Sequence, residues 1–303
     1  MEGFLILTKR NINVYVRDKG AVFFSFLSML IVICLMVFFL GDMNIEAVTR
    51  LLAEFPGRDV AQDKENAELL ILSWTCAGIV SINAVTVTLA VYSGMIKDRV
   101  NGKLNAIYTA PIRRVTIASA YIAAAWVASV IMCTLTLFIT EVYGIMQGLD
   151  AYSVTEHIQL LGLIMVNSFV FAALMYPLTM IAKTEGAWSG FGTVVGTLVG
   201  FLGGIYIPIG GLSDSIGNLI KSTPIIYGSA MFRSVMCQSV LQDTFQGISS
   251  DIVSVYREEM GIDIKVFDHL LSVTDEWIIL LVCGIMCLII GALMLRYSKK
   301  SDR

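Results

Sequence analysis

The chain has 303 residues, of which 56% are hydrophobic and only 15% charged, and its formal net charge is −3. A soluble domain of this length carries about a quarter charged residues, so the composition excludes an ordinary water-soluble globule and points to a bilayer protein. The slight negative balance offers no electrostatic footprint for nucleic acid.

In chain order, residues 3–19 read as a helix. Leu5, Ile12, Tyr15 and Val16 fall toward one side and Arg10, Asn13 and Arg17 toward the other, the pattern of a helix lying in the membrane interface. Six apolar runs follow that are long enough to cross a hydrocarbon core of about 30 Å at about 1.5 Å per residue. They are residues 21–40, 70–94, 115–140, 158–182, 191–208 and 277–295. The first is of full spanning length with no small-residue cleavage site after it, so it is expected to remain as an anchor. The acidic stretch 41–69 reads as a short solvated helix. Between the second and third runs lies KDRVNGKLNAIYTAPIRR, residues 97–114, with five of the 21 Lys and Arg against one acid. Residues 209–236 combine Pro208 and Pro224 nearby with glycines and two apolar pieces too short to cross, which reads as a re-entrant element. A seventh span over 216–236 is rejected because it would bury Lys221 and Arg233. In 237–276, Phe245, Ile248, Ile252 and Val255 are spaced for one amphipathic helix.

Alternating sides at each crossing puts 14 Lys and Arg on the side of the termini and seven on the other, with formal charges of +9 and −12. The positive-inside rule therefore places both termini in the cytoplasm. The expected fold class is an all-α membrane protein of one permease-like domain, with six spans, an interfacial N-terminal helix and a re-entrant element before the last span.

None of the six runs holds Asp, Glu, Lys, Arg or His, so no proton relay or ion-coupling site is visible. No glycine-rich phosphate loop is present; Asn101-Gly102-Lys103-Leu104 lacks both the earlier glycine and the hydroxyl residue. No catalytic group, cofactor or metal site is expected: Cys283 and Cys287 share a helix face without a His or acid, and His157 and His269 read as solvated loop residues. The spans carry neutral polarity instead. Ser81, Asn83, Thr86, Thr193 and Thr197, with Tyr206, are candidates for a substrate path, and equally for bonds between helices. Asn83 leads, because a mid-span amide is costly unless it meets a partner, water or substrate. Gly192, Gly196, Gly200 and Gly204 recur every four residues and mark a close helix contact.

Two patches, Asp98-Arg99 with Gly102 and Pro111, and Gly204-Ile205-Tyr206-Ile207-Pro208-Ile209 followed by Pro224-Ile225-Ile226-Tyr227 and Arg233, carry a family resemblance in this topological order. The chain resembles the type 2 permeases of ATP-binding-cassette exporters, departing from the common pattern at Lys103 and Asn105. The resemblance implies a permease dimer, identical or paired with a similar chain, served by two separate ATPase subunits that hold ATP and magnesium. It further implies that the first inside loop docks on the ATPase as a coupling helix and that the second and fifth spans line the path at the dimer contact. On this chain the docking residues would be Asp98, Arg99, Gly102, Lys103, Leu104 and Tyr108, with Arg113 and Arg114 holding the next span. The implied function is export of a hydrophobic or amphipathic compound such as a drug, antimicrobial peptide or lipid. The alternative is a non-transporting membrane scaffold or sensor.

Overall fold

The computed structural model describes residues 2–35, 41–267 and 269–301. Helix α1 (Glu2–Arg17) leads into α2 (Lys19–Leu35), whose start is capped by Asp18 accepting from the Ala21 amide. After α3 (Gly41–Ala53) comes α4 (Val60–Val100), a 41-residue helix whose N-terminus is capped by the Asp59 carboxylate. Its length of about 62 Å is twice a hydrocarbon core. The segment around 70–94 is almost wholly buried, and α4 is the post on which the other helices pack.

A turn at Asn101 and Gly102 separates α4 from α5 (Lys103–Thr109). Then come α6 (Arg114–Gln147) and α7 (Val154–Ile181), the latter started by a capping box in which Ser153 and Glu156 satisfy each other's amides. Next are α8 (Glu185–Leu202), α9 (Asp214–Lys221), α10 (Pro224–Met236), α11 (Gln238–Thr244) and α12 (Ser250–Glu259). A two-residue hairpin, β1 (Lys265–Val266) with β2 (His269–Leu270), precedes the long α13 (Val273–Ser301). Helix α13 rides on α7. A Cβ added at Gly291 would stand 2.7 Å from the Tyr176 ring, and one at Gly284 3.3 Å from Phe169, so two glycines a heptad apart set this approach.

Among the described residues, four helices are long and apolar enough to cross a membrane: α4, α6, α7 and α13. The first predicted span, 21–40, runs past Leu35 into residues outside the described set, and its described part, α2, has 17 residues. The fifth, 191–208, is corrected. Capped by Thr184, α8 begins at Glu185, six residues before the apolar run, and the helix ends before Gly204. There the Ile205 amide bonds the Gly200 carbonyl and the Gly204 amide the Phe201 carbonyl, with Gly204 at φ 62°. This left-handed stop makes Gly204 a helix terminator, outside the four-residue packing register assigned to it.

Two buried clusters result. The larger fills the space among α4, α6, α7, α10 and parts of their neighbours. The smaller joins Val48 and Leu52 of α3, Leu70 and Trp74 of α4, Leu241 of α11 with Phe245 just after it, and Tyr256 of α12 into a cap at the end of the bundle away from α1 and α5. Arg58 bonds both Asp63 oxygens and the Thr244 and Gln246 carbonyls, which seals α4 to this cap. Residues 41–69 thus contain the expected short helix, largely exposed, with one face of it, Val48 and Leu52, packed into this cap. The single amphipathic helix expected from Phe245 to Val255 is instead two, because Gly247 at φ 81° turns the chain; Phe245 is buried while Val255 is exposed.

Candidate functional site

The opposite, basic end of the bundle assembles most of the residues singled out around 97–114. Arg10 of α1 reaches the last turns of α4 and grips Asp98 with both terminal nitrogens, Nη2 to Oδ1 at 2.9 Å and Nη1 to Oδ2. The Tyr121 hydroxyl of α6 donates to the same Oδ2 at 2.8 Å. Asp98 is 4% exposed. Burial pushes its carboxyl pKa up, but hydrogen bonds from Arg10 and Tyr121 and the nearby guanidinium charge outweigh that and hold it below the usual range. At the next residue, Arg99 Nη1 donates to the Thr179 and Ala182 carbonyls at 2.6 and 3.1 Å. These are bare C-terminal carbonyls of α7, where a cation is favoured.

This arrangement corrects two expectations. Asp98, Arg99 and Leu104, the last 3% exposed, point into the chain and knit α4 and α5 to α1, α6 and α7. Beyond Lys97 and Val100 at the end of α4, the surface left open on this segment is Asn101, Lys103, Asn105, Ala106, Thr109, Pro111 and Arg113. Gly102, at φ 71° with open space around it, lets the chain break between α4 and α5. Tyr108 lies within α5, and its side chain falls outside the described set. On α1 the grouping of Tyr15 with Leu5 and Val16 is corrected. Asn11 and Tyr15 are buried with Arg10 beside them, whereas Leu5 and Val16 are 62% and 59% exposed. The outer face mixes Leu5, Ile6 and Val16 with Lys9, Asn13 and Arg17, and the inner one sets Tyr15 beside the Arg10 that reaches Asp98.

The neutral polar residues join helices. Asn83 Nδ2 of α4 donates to Thr136 Oγ1 of α6 at 2.6 Å, and its Oδ1 accepts from Thr86 at 3.2 Å. Asn167 Nδ2 of α7 donates to the Ser81 carbonyl at 2.9 Å, while Ser229 of α10 reaches Ser81 Oγ at 3.2 Å. Ser81 and Asn83 are thus buried interhelical links; Thr86 is half-buried and opens on a cavity. Thr193 and Thr197 are exposed on α8 and donate to their own helix. Of the α8 glycines, Gly192 and Gly196 meet nothing, while Gly200 is covered by the ring of Tyr206, only 2.4 Å from where its Cβ would be. The face of α8 carrying Gly196, Thr193 and Thr197 is left unpacked by this single chain.

Arg233 was read only as part of the re-entrant motif and as a reason against burial. It is fully buried. Its guanidinium lies 4.2 Å from the Trp74 ring centre and donates to the carbonyls of Gly203, Gly204 and Gly261 at 2.9 to 3.2 Å. Helix α10 is 13 residues long, about 20 Å, too short to cross yet buried along most of its length. The bare carbonyls after α8 are the signal that accommodates the charge, and they exist only once the chain has turned at Gly204.

A family model described as "ABC-2 family transporter protein" matches residues 59–294, well over half of the chain. The chain matches no curated protein.

Proposed function

The chain belongs to the ABC-2 transporter family, a family of membrane permease subunits, and on that premise we propose that it moves a hydrophobic or amphipathic compound outward using ATP hydrolysed by a partner. The observation that carries the proposal is the short helix α5, set off by Gly102 and held from behind by Asp98–Arg10 and Arg99–α7, with a polar face directed away from the chain. A helix so anchored transmits a push to α1, α4, α6 and α7 together, which a loop serving only to orient the chain has no need to do.

In this reading the basic end faces the cytoplasm and both termini lie there. Helices α2 and α8 complete six crossings, and α9 and α10 form the re-entrant element. Lys103 and Arg113, with Gly102 shaping the turn and Tyr108 on the same helix, meet an ATP-binding-cassette subunit that holds ATP and magnesium. Asp98, Arg99 and Leu104 act behind that contact as positioning residues. The open face of α8 packs against a second permease, identical or similar, where Thr193, Thr197 and Tyr206 border the contact.

The test is co-purification and turnover. The chain is expressed together with candidate ATP-binding-cassette ATPase subunits, captured, and assayed in vesicles. The charge-reversal pair K103E and R113E is expected to release the ATPase while the permease stays monodisperse. D98N is expected to retain the ATPase but reduce the coupling of hydrolysis to transport. Retention of the ATPase by the K103E/R113E variant removes the docking assignment. Failure of any ATPase to accompany the wild-type chain favours a scaffold or sensor instead.

A further inference from the structure

Two cavities open on the flank where α2 lies along α4, and α8 and α13 line neither. The one nearer the basic end, about 380 Å³, is bounded by Asp18 and Ser25 on the α2 side and by Thr86, Ala90, Ser93 and Lys97 of α4. Its mouth holds an ion pair, Lys97 Nζ to Asp18 Oδ2 at 3.1 Å, with both side chains about half exposed to solvent. The other cavity, about 500 Å³, is walled by Leu30, Ile33, Leu72, Ile79 and Ile139. At its rim stand Asp42 and Glu68, with no Lys or Arg in the lining; Lys64 is 3.8 Å from Glu68 as a helix-surface pair.

Between them α4 makes two turns, from Ile79 to Thr86, and the buried amide of Asn83 occupies the interval. Thr86, in the first cavity, donates to Asn83 Oδ1; Asn83 donates to Thr136 Oγ1; Thr140, one turn beyond Thr136, lines the second cavity. The flank thus has a hydroxyl-rich chamber at one depth, an apolar chamber at the other, and a chain of neutral hydrogen-bonding groups joining them. Polar side chains in hydrocarbon are retained where they meet partners or substrate.

Each mouth pairs a lysine with a carboxylate, Lys97 with Asp18 at the first and Lys64 with Glu68 at the second, where Asp42 adds a further acid. An ammonium group finds a carboxylate at each end of the route; a purely anionic head is opposed at the second, where two acids outnumber one lysine. We propose that the α2–α4 flank is the route of a bilayer lipid with an ammonium head, its chain lying in the membrane beside α2 while its head passes from the chamber of Thr86 on α4 to the chamber lined by Thr140 of α6. The route is separate from the open α8 face. It rests on the permease reading for net movement, while binding to the flank does not require the ATPase.

Native mass spectrometry of the purified full chain, titrated with phosphatidylethanolamine and with phosphatidylglycerol of the same acyl chains, tests it. The wild-type chain is expected to prefer the ethanolamine lipid by about tenfold, a difference of about 1.4 kcal/mol. A90W fills the first chamber and L72W the second, and each is expected to bring the ratio close to one with the thermal midpoint retained. The pair D42N and E68Q leaves the chambers open and is expected to lower the ratio by weakening the ethanolamine lipid alone. I278W, on the exposed face of α13, should keep the wild-type ratio. Equal affinities in the wild-type chain overturn the proposal, as does a ratio unaffected by A90W and L72W. Loss of the ratio only in T197W moves the ligand to α8 and rejects this route while leaving the permease reading intact.

Discussion

Replacing Asp98 tests whether the basic end is held together as described. Asp98 is nearly sealed, with its side chain 6% exposed, and Arg10 is 33% exposed. Breaking a fully buried ion pair costs about 3–5 kcal/mol because a charge is left stranded, and an exposed pair contributes about 0–1 kcal/mol. Arg10 can turn part of its guanidinium to water, so D98N is expected to cost about 2 kcal/mol, between those limits. For a domain of 150–250 residues 1 kcal/mol shifts the midpoint by about 2–4 °C, and the shift shrinks with size, so about 4 °C is expected here. The assay is a thermal scan of the detergent-purified chain for wild type, R10M, D98N and the double variant. Because one contact is lost in either single variant, the double should cost less than the sum by about 1–2 kcal/mol. Additive losses, or a D98N midpoint equal to wild type, refute the latch. The pH dependence has a definite sign. A carboxylate held below its unfolded value of about 3.9 contributes fully above that pH and loses its contribution only as pH falls through the lower folded value. The latch should therefore be equally strong from pH 5 to 8.

Arg233 joins three backbone segments, and R233K offers one ammonium where a fork spans Gly203, Gly204 and Gly261. A loss of about 2–3 kcal/mol is expected, read as a lower thermal midpoint and earlier proteolysis between α8 and α12; an unchanged digestion pattern would count against the clamp. G291V places a methyl group into the Tyr176 ring and should separate α13 from α7, at a cost of about 1–3 kcal/mol, detected as weaker disulfide trapping between cysteines placed on the two helices. G102A meets no neighbour but forces alanine to φ 71°. A cost of about 1 kcal/mol should appear in the thermal scan, together with weaker ATPase retention if α5 docks as proposed.

The sequence was informative where structure is local. The start of α10 at Pro224 and four of the six long apolar runs follow from proline and length, and the short helix after Gly102 agrees with what the family resemblance implies. It misread what depends on neighbours. Tyr15 was grouped with Leu5 and Val16 on one side of α1, yet it is buried beside Arg10 while those two are exposed. The spacing of Gly192 and Gly196 marks a face that meets nothing within this single chain, while close helix approaches inside it fall at glycines outside that register, among them Gly228, Gly284 and Gly291.

By itself the amino-acid sequence determined that the chain is a helical membrane protein, which end is basic, and that no nucleotide loop or charged relay lies in its spans, because those properties sum over residues near one another. Only the tertiary structure decided that Asp98 faces Arg10, 88 positions away, that Arg233 is buried among carbonyls, and that Thr86 and Thr140 open on two chambers of one flank. Each depends on which helix lies beside which, and hydrophobic period carries no record of that choice.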